Sequence, residues 1–144
     1  MAALNKFNQF VADVYQGVHN FTSDATSTIT VALTTNANIP VATNSVLANL
    51  TQIAYTNLSS RVVLIASSAQ TAGTYKLVLT DLVLTASGTV ATFRHVVLYN
   101  DDPTSPADPL IGWYDYGADL PLANLETLTL DFDATNGVLT HSSV

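Results

Sequence analysis

The chain has 144 residues, no cysteine, 10% charged side chains and a formal net charge of −7. That length suits one domain with a sizeable core, and the missing thiols exclude a disulfide scaffold, a thiol nucleophile and thiolate metal sites. The basic residues Lys6, Arg61, Lys76 and Arg94 are scattered, which argues against nucleic acid or an anionic membrane surface as a partner.

From Leu4 to Val18 the apolar residues Leu4, Phe7, Val11, Val14, Tyr15 and Val18 fall on one face of a helix. Phe10 widens that stripe at its edge. Asn5, Asn8, Gln9, Asp13 and Gln16 lie largely opposite, and Gly17 and Asn20 mark the end. This amphipathic helix is expected to pack on its own sheet or to contact a neighbouring subunit as well. It has too little basic charge to lie on a membrane.

After Asn20 the apolar period becomes two. Thr28–Thr34 alternates as a half-buried strand. Asn36–Pro40 reads as a loop, and Asn44–Ile53 as one or two helical turns with Asn44 as a cap. Arg61–Ser67 is apolar on both faces, as a buried strand is. Thr74–Thr85 reads as one strand bulged near Asp81, or as two strands. Ser87-Gly88 turns the chain into Val90–Tyr99, where Phe93, His95, Val97 and Tyr99 share one face and Arg94, Val96 and Leu98 the other. Asn100–Pro109 is a proline- and aspartate-rich loop. Leu110–Tyr116 is an aromatic strand. Leu125–Phe132 points Leu128, Leu130 and Phe132 inward, and Asn136-Gly137 is expected to close a hairpin onto Val138–His141. The expected fold is mainly β: an antiparallel β-sandwich or barrel-like single domain over residues 21–144, with the N-terminal helix over residues 1–20.

The chain carries little recognisable chemistry. None of His19, His95 and His141 has a second histidine at metal-ligand spacing, and His95 reads as a hydrogen-bonded strand residue. No nucleophile elbow, phosphate loop or dinucleotide motif occurs. Asp131, Asp133, Thr135, Asn136 and Gly137 echo a calcium loop, but the glycine is one place late and the closing acid is missing. Asp101, Asp102 and Asp108 form a looser acidic group. Trp113, Tyr114 and Tyr116 have the composition of a sugar-stacking platform, although strand aromatics usually serve the core. The sequons at Asn20, Asn49 and Asn57 follow no basic leader with an apolar run, and no apolar stretch approaches the roughly 20 residues a membrane helix needs. No catalytic, cofactor or metal residues are assigned.

Charged residues usually make up about 25% of a soluble domain. A surface coated instead by Thr, Ser, Asn and Ala suits a subunit covered by copies of itself or by a partner.

Several blocks carry a wider resemblance: LNKFNQFVADVYQGVHNF, VATNSVLANLTQI, TYKLVLTD, FRHVVLYND, and ADPLIGWYDYG followed by LDFDATNGVLT. In this order, from Leu4 to Thr140, the chain resembles a family of small tailed-bacteriophage virion structural proteins. The resemblance implies a capsid decoration (cement) protein, alternatively a tail, neck or fibre subunit. It implies the major capsid protein as partner, self-association as a homotrimer, and residence on the outer capsid surface after synthesis in the bacterial cytoplasm. It brings no catalytic residues. Two regions are the expected interface: Phe7, Phe10 and Tyr15 on the helix, and Asp101, Asp102, Pro103 and Pro106 in the loop.

Overall fold

The computed structural model describes residues 3–22 and 28–143. Its elements in chain order are β1 (Asn5–Lys6), α1 (Asn8–Tyr15), β2 (Ile29–Thr34), β3 (Val62–Val63), β4 (Ile65–Thr71), β5 (Thr74–Leu79), β6 (Leu82–Thr85), β7 (Val90–Asn100), β8 (Leu110–Leu122), β9 (Thr127–Leu130) and β10 (Leu139–Ser142), with one 3-10 turn at Leu47–Asn49. The chain is mainly β with a single α-helix among the described residues. A five-stranded sheet runs β1-β8-β7-β2-β3, a three-stranded sheet runs β10-β5-β4, and β6 pairs with β9. Every pairing is antiparallel. None of these sheets closes on itself as a barrel among the described residues. All three feed one apolar core containing Leu33, Val97 and Ile111 from the large sheet, Leu77 and Leu139 from the second, and Leu84 and Leu130 from the ribbon.

The helix is shorter than its apolar spacing predicts, and it buries a different face. Leu4–Lys6 lies outside it, because Asn5 and Lys6 pair with Trp113 and Gly112 of β8. That pairing continues into Phe7, whose N–H bonds the Ile111 carbonyl at 3.3 Å. Phe7 thereby enters the core in an extended conformation, and the helix starts after it. Two helical turns then bury Phe10 and Asp13, while Val11, Val14 and Tyr15 face out. Asp13 is tolerated inside partly because its Oδ1 accepts the Gln9 amide at 2.8 Å, one turn away. The helix ends as Gly17 predicts. Its positive φ of 73° lets its N–H reach Val14 O while Val18 N–H reaches Asp13 O, a Schellman closure.

β2 is buried along its whole length rather than on one face: β7 pairs along one edge, and β3 with Arg61, Tyr55 and Ile53 covers the other, where Val31 N–H bonds Arg61 O, Leu33 N–H bonds Tyr55 Oη and Ile53 N–H bonds Leu33 O. The segment Arg61–Ser67 shows the reverse. Only Val63 is buried, because β3 and β4 are edge strands of different sheets and the chain crosses between them at exposed Leu64. Thr74–Thr85 is two strands, broken at Thr80-Asp81. Asn44 does not cap the 3-10 turn. Its Oδ1 takes the Val41 N–H, and Asn49 Oδ1 takes the N–H groups of Ser45 and Val46.

Leu128, Leu130 and Phe132 point inward as their alternation predicts, but Asn136-Gly137 does not close a hairpin onto β9. Asp133 holds the amides of Thr135 and Asn136, and Gly137 N–H bonds Asp133 O at 2.8 Å. This wider turn sends the chain to β5, where Val138 N–H bonds Leu77 O and β10 pairs from Leu139↔Leu77 to Ser142↔Thr74. β9 pairs with β6 instead.

Candidate functional site

The outward face of α1 forms one wall of a groove of about 580 Å³. Val11, Val14 and Tyr15 face Tyr75 of β5 and Leu139 and His141 of β10 across it. Tyr15 Oη lies 3.3 Å from His141 Nδ1, and the two rings meet edge to face at 5.9 Å. The helix is therefore tied to the second sheet across an otherwise apolar cleft. Lys6 of β1 also lines the groove.

The floor is aromatic. His19 is 9% exposed, stacks on Phe21 at 5.2 Å and lies 5.2 Å from Phe10. Its Nδ1 sits 3.4 Å from Asn100 Nδ2, while its Nε2 and Asp13 Oδ2 have no hydrogen-bond partner among the described residues. Burial pulls the His19 pKa down to about 4, with Asp13 opposing part of that shift. At neutral pH this ring is uncharged, as an apolar floor requires.

The seven residues expected at an interface divide between core and surface. Phe7 is fully buried, its ring 4.6 Å from that of Trp113, and Phe10 is 5% exposed in the groove floor. Both belong to the chain's own core: Phe7 follows the β1 pairing inward, and Phe10 meets solvent only through the groove floor. Tyr15 is 72% exposed and stands on the groove wall. In the proline loop Asp101, Asp102 and Pro106 are exposed and Pro103 is half-buried. The loop is tethered rather than open. Asp101 N–H donates to Thr28 O at 2.8 Å, Asp102 Oδ2 accepts the Thr28 N–H, and Pro103 O accepts the Asp108 N–H at 3.4 Å. The peptide before Pro106 is cis. Partial burial, with Asp101 beside it, raises the Asp108 pKa. Asn100, at the start of the loop, is the residue that meets His19, so loop and groove floor are joined.

His95 is not hydrogen-bonded as its strand position predicts. It is buried, its Nδ1 has no partner among the described residues, and its Nε2 is 3.8 Å from Asp115 Oδ1. Asp115 is engaged by Arg94 instead, through Nε at 2.7 Å and a second guanidinium nitrogen at 3.0 Å. This fork, with the Gly117 N–H, lowers the Asp115 pKa to about 2. Arg94 and His95 reach the same carboxylate because β8 bulges here. His95 pairs with Asp115, but Phe93 pairs with Leu120, so residues 116–119 loop out.

The aromatic strand forms no stacking platform, since Tyr114 is buried and Trp113 packs on Phe7. Asp133 spends its carboxylate on its own turn. Among the described residues no group of three His, Asp or Glu side chains is placed to hold a metal ion. No helix there is long and apolar enough to cross a membrane.

The groove was not legible in the sequence beyond Tyr15. Tyr75, Leu139 and His141 join it only because β10 pairs with β5, a pairing that no local signal announces. Comparison with family models, with curated proteins and with solved structures finds no match.

Proposed function

We propose that this chain is a bacteriophage capsid decoration protein that binds the assembled head shell, and that its sheets are the layers of a β-sandwich sharing one core. The observation that carries the reading is the outward apolar face of α1 beside an open groove, on a chain with only 10% charged residues. Val11, Val14 and Tyr15 expose apolar area that a solitary domain gains nothing by displaying, and that a contact would bury. The ordered resemblance from Leu4 to Thr140 supports the virion as the setting. A protein that binds the assembled shell and not its free subunits adds its binding free energy to shell stability, so modest affinity at many equivalent sites suffices.

Cryo-electron microscopy of the intact virion tests the proposal. Density for this chain on the outer shell in hundreds of copies is expected. A dozen copies or fewer, confined to the neck or tail, would replace this reading with that of a tail, neck or fibre subunit.

A further inference from the structure

We propose that Leu125 of one copy of this chain docks in the groove between α1 and β10 of a second copy, with Glu126 of the first beside Lys6 of the second. The contact rests on the assembly reading and deepens it by naming the surfaces through which two copies meet.

Leu125 is the most exposed large apolar residue among those described, at 80%, and its φ is +70°. That conformation is rare for a branched side chain, and such outliers persist where the surrounding structure holds them. Here the holding is visible. Leu125 N–H bonds Ala86 O, Ala86 N–H bonds Glu126 O, and Glu126 N–H bonds Ala123 O, all at 2.9–3.1 Å. The Glu126 carboxylate also accepts the Ala123 N–H at 2.7 Å. The turn is therefore a braced support that presents a leucine to solvent with a carboxylate beside it.

The groove has the complementary character. Its walls are the apolar faces of Val11, Val14 and Leu139 and the rings of Tyr15 and Tyr75. Lys6 stands at its lining, and its ammonium makes no hydrogen bond or ion pair among the described residues. The other cations are engaged: Arg61 with Val31 O and the Tyr55 ring, Lys76 with Thr135 O, and Arg94 with Asp115. On a chain of net charge −7 most encounters between copies repel. A contact that brings Glu126 to Lys6 joins opposite charges.

Knob and groove cannot meet within one molecule. β1 and α1 sit at the start of β8, where Lys6 pairs with Gly112, whereas Leu125 lies beyond Leu122 at its far end. The separation is on the order of 20 Å for a strand of that length with a bulge. The contact is head to tail, so it closes into a ring or extends as a filament according to the rotation between copies.

Sedimentation of the full chain over a range of concentrations at low salt, with no capsid present, tests the contact. The wild type is expected to associate. Leu125→Asn removes the apolar knob but suits positive φ, so it should weaken association roughly ten- to hundredfold without lowering the monomer's melting temperature. Val14→Asp and Lys6→Glu, on the groove side, should weaken it independently. A wild type that stays monomeric, or association indifferent to Leu125→Asn or to both groove variants, overturns the proposal. The assay contains no shell, so its failure leaves shell binding standing, and absence of the chain from shells leaves this contact standing.

Discussion

The Phe7 ring, at the residue just before α1, lies 4.6 Å from the Trp113 ring, tilted by 39°, and anchors the start of the helix against β8. Trp113 is the only tryptophan in the chain, so its fluorescence reports on the contact directly. Phe7→Ala should destabilise the fold by about 3–5 kcal/mol, the usual cost of emptying a buried phenylalanine site. It should also shift the Trp113 emission. Tyr15→Ala, on the outward face, should cost less, about 1 kcal/mol, through its exposed contact with His141. Urea unfolding followed by tryptophan emission measures both, and similar losses at the two positions would mean that the helix buries its other face.

β1 approaches β8 closely at Gly112. A Cβ there would come within 2.6 Å of Asn5 O and 2.8 Å of the Leu4 side chain. Backbone cannot yield as a side-chain tip can, so Gly112→Ala should lift β1 from its partner at a cost of about 1–3 kcal/mol. Hydrogen exchange should show faster exchange at Phe7 N–H, which bonds Ile111 O, with β2 protection largely retained.

His19 makes stability depend on pH. Its pKa falls from 6.5 to about 4 on folding, so between those values the unfolded chain binds more protons than the folded one. The His19 contribution is therefore fully present above pH 6.5, and is lost as pH falls through about 4. The loss should reach about 3 kcal/mol. His19→Gln should flatten the stability profile in that window, measured by urea unfolding from pH 7 to pH 4. An unchanged slope would mean that His19 is accessible to solvent protons in the fold.

Asp115 acts at lower pH. Its folded pKa is lowered to about 2 by the Arg94 fork and the Gly117 N–H. Its contribution is present above the unfolded value near 3.8 and is lost as pH falls through about 2. The carboxylate is partly exposed, so the effect is modest and weakens with salt. Asp115→Asn should remove this part of the acid limb in thermal melts between pH 4 and pH 2, and should leave the His19 window intact.

Strand positions were legible wherever the alternation was clean. Leu128, Leu130 and Phe132 turn inward, and the break near Asp81 divides two strands. What alternation does not encode is which strand a segment joins. Asn136-Gly137 carries the local signature of a hairpin, yet the Asp133 carboxylate accepts the Thr135 and Asn136 N–H groups, and the chain runs on to β5 instead. The helix face failed for a related reason. Six apolar residues at helical spacing do not reveal that Leu4–Lys6 is extended, and that extension depends on β8, more than a hundred residues away in sequence. Tyr15 was legible as an exposed aromatic. The rest of the groove depends on the β5–β10 pairing, and Leu125 carried no signal because a positive φ at leucine contradicts its local preference.

The pairings set an order of events during synthesis. β1 waits for Gly112 and Trp113, β2 for His95 to Asn100, and β5 for Leu139 to Ser142 to complete its second edge. A ribosome must release about a hundred residues before β2 meets β7, and still more before β1 and β5 find these partners. Such non-local closure places folding in the slower range, on the order of milliseconds to seconds. The exposed, charge-poor strands are vulnerable to sticking together throughout that interval. The yield of native chain in the cell should therefore fall with the rate at which nascent copies accumulate, long before any limit set by the stability of the finished fold.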